Sequence, residues 1–375
     1  MGARRLAARA MVLAAVALAG ARARAETVTE PIARFSVEGG WDSNALYDGG
    51  GGDRKGRISP ELGLRLRDHR LDLTLAYGLD YVVYQRRAPG GIWNHRAMLE
   101  LEAEPGRRLR LEGALRAGLA FDPVGLAQMG VFRAGRGEAF LASGSARAQW
   151  RATRRIDVAA TLAERAVRFD DGTGGAMHQP GVEVLWRVRR RLSAGAGYAL
   201  GVFQDFGGAD GGLAFSHGLH ARVAYRASRR VALNAFAGPA LYGSPGSSGL
   251  VPEAGVEALW SSRGHDLRAA ARHALGIGST ARPGLVDSVE VGALKRLDRR
   301  WTLRGDVGLW HSGEAPSGAN AVTGYAIAGE VSMLVGAGVR VGVGGSHFSR
   351  IDDPSPAFRR TTAGVRVGWE AARRP

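Results

Sequence analysis

His347-Phe348-Ser349 sets an imidazole and a hydroxyl two residues apart, which on a strand places both on one face, the spacing a base needs beside a nucleophile. No third partner stands near them in sequence, so no catalytic residue is assigned and lipid hydrolysis is carried only as a remote alternative. His217 and His220 are three apart, which on a strand sends them to opposite faces and defeats shared metal ligation. Asp352-Asp353 reads as a solvated turn before it reads as a cation site. Cysteine is absent, so thiolate ligands and disulfides are excluded, and neither a metal nor a cofactor is expected. The remaining chemistry is charge. The formal net charge is +16, five of it from arginines in the first 25 residues, and Lys55 and Lys295 are the only lysines. The arginines are spread through the chain with no nucleic-acid module, so nucleic acid is not an expected partner.

The elements that carry those charges alternate with a period of two. In Leu71 to Tyr84, Leu71, Leu73, Leu75, Tyr77, Leu79, Tyr81 and Val83 share one phase, while Asp72, Thr74, Gly78 and Asp80 lie on the other. At ~3.3 Å per residue such a strand is on the order of 40 Å long, and a tilt of about 45° brings it close to the thickness of a bilayer's hydrocarbon core. A soluble strand is usually ~5–6 residues. A strand in lipid must be paired on both edges, which requires a closed barrel.

The grammar repeats. Short, mostly basic connections (68–70, 105–108, 153–155, 189–191, 228–230, 262–265, 298–300, 336–338) alternate with glycine-rich ones (49–56, 88–91, 121–135, 170–175, 206–212, 243–249, 278–284, 313–318, 352–356). These 17 connections imply 18 strands. The even count, with both termini on the short-turn side, fits an outer-membrane barrel. The expected fold is therefore all-β, a single transmembrane antiparallel meander barrel of about 18 strands, with 16 as the alternative. A slip of phase near Glu164 predicts a bulge, and Lys295 falls on the lipid phase. Residues 1–25, with Arg4, Arg5 and Arg9 ahead of a short apolar run and Ala23-Arg24-Ala25, read as a cleaved export signal, leaving 26–375 as the barrel.

Phase then divides the side chains. Asp72, Asp80, Arg96, Glu100, Arg110, Glu112, Arg116, Arg147, Arg187, Arg222, Arg226, Arg268, Arg272, Arg304, Asp306 and Arg340 are expected to line a wet lumen, because charge on the lipid face is costly. A modest arginine excess favours anions through the field of the pore. Trp150, Trp186, Tyr225, Trp260, Trp301 and Trp369 lie on the apolar phase near the short turns, where a membrane girdle belongs and outer-membrane lipid is the expected partner. Thr362, Gly364, Val367 and Trp369 match the spacing of the signal read by the barrel assembly machinery, a second expected partner, although Glu370 to Pro375 follow the aromatic.

One segment adds a family. Trp41-Asp42-Ser43-Asn44-Ala45-Leu46-Tyr47, a glycine-rich loop, Arg57-Ile58-Ser59-Pro60-Glu61-Leu62-Gly63-Leu64 and Arg70-Leu71-Asp72-Leu73 resemble the opening of the β-barrel porins of exopolysaccharide biosynthesis and export loci. The resemblance implies a conduit for polysaccharide across the outer membrane of a Gram-negative bacterium, working with a separate periplasmic export partner. The rival readings are a general or anion-preferring diffusion porin, with loop 122–136 as constriction or cap, and a barrel whose lumen is plugged.

Overall fold

A computed structural model describes residues 27–44, 51–86, 88–120, 138–207, 212–277, 283–314, 321–351 and 359–371. The export signal, loop 122–136 and Asp352-Asp353 lie outside these residues. The described strands, in chain order, are β1 (Val28–Asp42), β2 (Asp53–Arg67), β3 (Leu71–Tyr84), β4 (Ala88–Gly106), β5 (Leu109–Ala120) and β6 (Ala139–Arg151). They continue with β7 (Ile156–Phe169), β8 (Gly174–Arg189), β9 (Leu192–Asp205), β10 (Leu213–Tyr225), β11 (Val231–Ser244) and β12 (Ser247–Ser262). The last six are β13 (His265–Ile277), β14 (Pro283–Arg296), β15 (Trp301–Glu314), β16 (Val322–Gly336), β17 (Val339–Arg350) and β18 (Arg359–Glu370).

Each strand pairs antiparallel with the next, and β18 returns to β1 in a register running from Arg34↔Glu370 to Asp42↔Thr362. The sheet thus has no free edge, and every strand can satisfy its backbone in lipid. Glycine makes the seam possible. A Cβ on Gly40 would lie 2.3 Å from the carbonyl oxygen of Ala363, and Gly364, its partner in the register, faces the same crowding from Gly39.

The outer surface is the apolar phase: Leu62, Leu219, Leu250 and Val343 are each at least 59% exposed. In water that would be an aggregation surface; on a closed barrel it is a lipid-facing band.

Two local expectations are corrected. No bulge occurs near Glu164: β7 stays in continuous register with β6 and β8, and Glu164 faces outward against His178, Nδ1 to Oε1 3.2 Å. A polar partner on the neighbouring strand, not an extra residue, accommodates the charge. The connection expected over 243–249 is instead a two-residue turn, Pro245-Gly246, because proline presets the first corner and Gly246 takes φ +80° at the second. Lys295 does lie outward, in register with His265 beside a short turn, where its long stem can carry the ammonium to the interface.

The short turns have a shared construction. Asp68, Thr153, Ser228 and Asp298 each accept hydrogen bonds from the backbone N–H groups two and three residues on, so an acceptor, any residue, arginine and an apolar residue close four of the hairpins. At the last of these the N–H groups of Trp301 and Arg300 hold the Asp298 carboxylate, and its pKa lies below the ordinary value. The depressed pKa means that this contribution is full above the unfolded value of about 3.9 and fades as pH falls through the folded value. Amide exchange at Arg300 and Trp301 should therefore be protected at neutral pH and lose protection below about pH 4. Asp298→Ser should keep the turn and abolish that acid sensitivity; an unchanged acid response would contradict the assignment.

Candidate functional site: a divided, charge-lined lumen

The lumen is built by the polar phase of the strands, and it is not a uniform pipe. On its external, long-connection half the inner wall of β6 to β12 is apolar. Leu141, Val167, Phe169, Phe203, Ala240, Tyr242 and Val251 pack there with Leu275 and Ile277 of β13. The last two are unexpected occupants, since they share the parity of outward-facing Leu267. The reason lies in the pairing: β12 and β13 part company after Ala254↔His273, while β13 and β14 stay paired to Ile277↔Pro283. The end of this hairpin leans inward, and β13 and β14 approach β8 and β9 across the lumen. The amide that β13 loses from the ladder is taken up by a side chain. Leu275 N donates to Glu253 Oε1 at 2.9 Å, and Glu253 Oε2 shares a 2.6 Å hydrogen bond with His220 Nε2.

Two cavities hold most of the lumen charges. One, of about 750 Å³, occupies the external half beneath β15 to β18 and β1 to β6. It is lined by seven cationic residues, Lys55, Arg57, Arg96, Arg116, Arg304, Arg360 and Arg366, against four acids, Glu38, Asp80, Asp306 and Glu330. The other, of about 890 Å³, lies toward the short-turn end and reaches β13; five arginines there face six carboxylates. Most charges are paired across neighbouring strands. Arg57 Nη2 and Arg96 Nε lie 2.7 and 3.1 Å from Asp80 Oδ2, Arg110 Nε lies 2.7 Å from Glu112, and Arg65 Nε donates to Asp72 at 2.8 Å. The arginine excess is therefore not spread evenly round the lumen but concentrated in the external cavity.

The expected lumen residues fall into groups. Asp72, Glu100, Glu112, Arg147, Arg222 and Arg272 line the cavity toward the short-turn end, Asp80, Arg96, Arg116, Arg304 and Asp306 the external one, and Arg340 borders a third beside the short turns. Arg187 and Arg268 pair with inward-facing acids, Asp157 at 3.8 Å and Glu257 at 2.8 Å. Arg226 is a correction. β10 ends at Tyr225, and Arg226 belongs to the following turn, where its N–H donates to the carbonyl of Arg191. Trp150, Trp186, Tyr225, Trp260, Trp301 and Trp369 are all exposed on the outward phase at the short-turn end.

The His347-x-Ser349 pair makes no dyad. His347 Nδ1 hydrogen-bonds Thr361 Oγ1 at 2.8 Å and Nε2 meets the Tyr325 hydroxyl at 3.2 Å, while Ser349 Oγ donates to the carbonyl of Arg350. His217 and His220 do take opposite faces, the first outward on Tyr198 and the second inward on Glu253. Among the described residues no group of three His, Asp or Glu could hold a metal ion.

Sequence reasoning missed a pattern on the outside. His95, His178, His217, His273, His311 and His347, six of the nine histidines, face outward in the external halves of their strands. Each is held by a neighbouring strand: Tyr77, Glu164, Tyr198, Asp287, Thr323 and Thr361 in turn. Amphipathic rings with their polar atoms satisfied suit the boundary of an apolar band. The signal was available as a histidine three to seven residues from the long-connection end of each of these strands.

The Trp41-Asp42-Ser43-Asn44 segment also acquires a physical role. Asp42, Tyr84 and Arg360 are all but fully buried at the external rim of the seam. Arg360 Nε donates to both Asp42 oxygens at 2.9 and 3.0 Å, Arg360 Nη2 also bonds Asp42, and the Tyr84 hydroxyl lies 3.2 Å from Arg360 Nη2 and 3.3 Å from Asp42 Oδ2. Ser43 and Thr361 exchange hydrogen bonds of 2.9 and 2.7 Å, and Asn44 Nδ2 donates to the carbonyl of Arg359. The motif locks β1 to β18.

No family model and no curated protein matches the chain. Among solved structures it is similar to OccK5 (OpdH) of Pseudomonas aeruginosa, at 9% identity over 91% of this chain and 98% of that one, with a TM-score of 0.41. It is similar also to OccAB4 of Acinetobacter baumannii, at 9% identity, 91% and 98% coverage and a TM-score of 0.42. A third is the FrpB iron transporter of Neisseria meningitidis, at 10% identity, 91% and 70% coverage and a TM-score of 0.42. The architecture of this barrel rests on its own closed strand pairing.

Proposed function

We propose that the chain is a passive channel in the outer membrane of a Gram-negative bacterium, admitting hydrophilic solutes with a preference for anions. The observation that carries the reading is the external cavity, where six cations besides Arg360, which Asp42 holds, face four acids within a low-dielectric wall. Closed meander barrels with an outward apolar band and even strand number are the form in which chains cross that membrane.

Polysaccharide export is the more specific reading. Its support is the resemblance of residues 41–47, 57–64 and 70–73. The Trp-Asp-Ser-Asn residues themselves serve barrel closure, which any cargo would need.

Planar-bilayer recording of the refolded chain under a salt gradient tests both. The reversal potential should show anion preference, and Arg116→Glu with Arg304→Glu should abolish or invert it. No current from the wild type would remove the channel, and an unshifted reversal potential in the double variant would remove the role of the external cavity. Blockade of the current by added oligosaccharide would support the polysaccharide cargo; indifference to sugars would leave the diffusion channel.

A further inference from the structure

At the waist, where the leaning hairpin narrows the lumen, four guanidinium groups converge from β6, β7, β10 and β13. Arg147 Nη1 and Arg222 Nη1 take the two oxygens of Glu183, at 2.8 and 2.5 Å. Arg222 and Arg272 both lie against the ring of Phe236, with Cζ 5.6 and 5.9 Å from its centroid. Arg165 faces Arg272, which repels it, and Glu290, which attracts it. Arg222 in turn is repelled by Arg147 and Arg272. Glycine makes room for this crowd: a Cβ on Gly255 would lie 2.4 Å from the Phe236 ring, and one on Gly218 2.7 Å from His220.

The acids nearby are already engaged. Glu183 is shared by two arginines, and Glu253 by His220 and the Leu275 amide. Yet Arg165 Nη2 and Arg222 Nε are buried donors with no hydrogen-bond acceptor. Such a donor is costly unless an acceptor reaches it, and a guanidinium fork is matched in shape and charge by an oxyanion. Glu290 attracts Arg165 by charge without accepting a hydrogen bond from it, so both donors are left for an acceptor carried by the solute.

We propose that the waist holds a binding site for one oxyanion group, a carboxylate or a phosphate carried by the permeating solute, received by Arg165, Arg222 and Arg272. The site rests on the reading that solutes reach the lumen, but its binding can be measured without conduction. Gly197 borders it: a Cβ there would sit 3.6 Å from Arg222 Nε and 3.4 Å from Glu183 Cγ, ordinary contact distances that would not strain the wall. Gly197→Ala should thus fill the approach to the orphan donor while leaving every charge in place.

The test is calorimetric titration of the folded full chain in detergent micelles with sodium D-glucuronate, with inorganic phosphate and with neutral glucose. Saturable one-to-one binding of glucuronate or phosphate, and none of glucose, is the expected result, and whichever of the two binds identifies the oxyanion. Arg165→Gln and Gly197→Ala should each weaken binding by about tenfold or more. No saturable binding of either anion to the wild type would overturn the site, as would binding that both variants leave unchanged. Conduction without anion binding would sink this site and spare the channel; anion binding without conduction would sink the channel and spare this site.

Discussion

Arg360→Met should lower the stability of the barrel by about 3–5 kcal/mol, the largest loss expected from a single substitution in its wall. Asp42 is wholly buried, and the variant takes away its cation while leaving a carboxylate inside the seam. Asp42→Leu combined with Arg360→Met should recover part of that loss, because it removes the buried charge and its desolvation cost but also takes the Asp42 acceptor from the Asn44 amide and the Tyr84 hydroxyl. Urea unfolding of the refolded protein in lipid, followed by tryptophan fluorescence, would show the midpoint fall in the single variant and return in part in the double. A single variant as stable as the wild type would mean that the seam is held by its backbone register alone.

Much of this architecture was legible because the wall of a barrel repeats one local rule. A period of two assigned nearly every strand to within a few residues, and basic or glycine-rich connections fixed their number at 18, in agreement with the closed sheet. The misreadings have local causes. A paired glutamate on the lipid phase, Glu164, mimics a bulge, and Pro245-Gly246 compresses a glycine-rich stretch into a turn. What stayed hidden depends on which strands face each other across the lumen, a relation that parity along one strand does not contain. The concentration of cations in the external cavity, the convergence at Phe236 and the departure of β13 from β12 all belong to that class. The Trp-Asp-Ser-Asn segment shows the reverse case: its residues stood out in the chain, but their job became clear only with Arg360, 318 positions from Asp42, beside them.

Glu253→Leu should raise the unitary conductance of the channel. The leaning end of the β13–β14 hairpin is held in two ways, by burial of Leu275 and Ile277 in the apolar cluster and by the hydrogen bond from Leu275 N to Glu253. Burial of two such side chains from water would contribute about 3–6 kcal/mol. Their alternative position, however, is the outer wall that their parity assigns them, against lipid as apolar as the cluster they leave, so little of that term opposes the move. The polar clasp then decides. In the upright position β13 can regain the ladder to β12; in the leaning one its amide depends on Glu253, which His220 in turn orients. Leaving the buried Leu275 amide without its acceptor costs about 1–3 kcal/mol, enough to shift a two-state balance roughly five- to a hundredfold toward the upright strand. Recordings in planar bilayers should therefore show larger current steps for Glu253→Leu than for the wild type, with Glu253→Gln, which keeps an acceptor for the amide, lying between them. Equal steps in all three would mean that apolar packing alone holds the hairpin across the lumen.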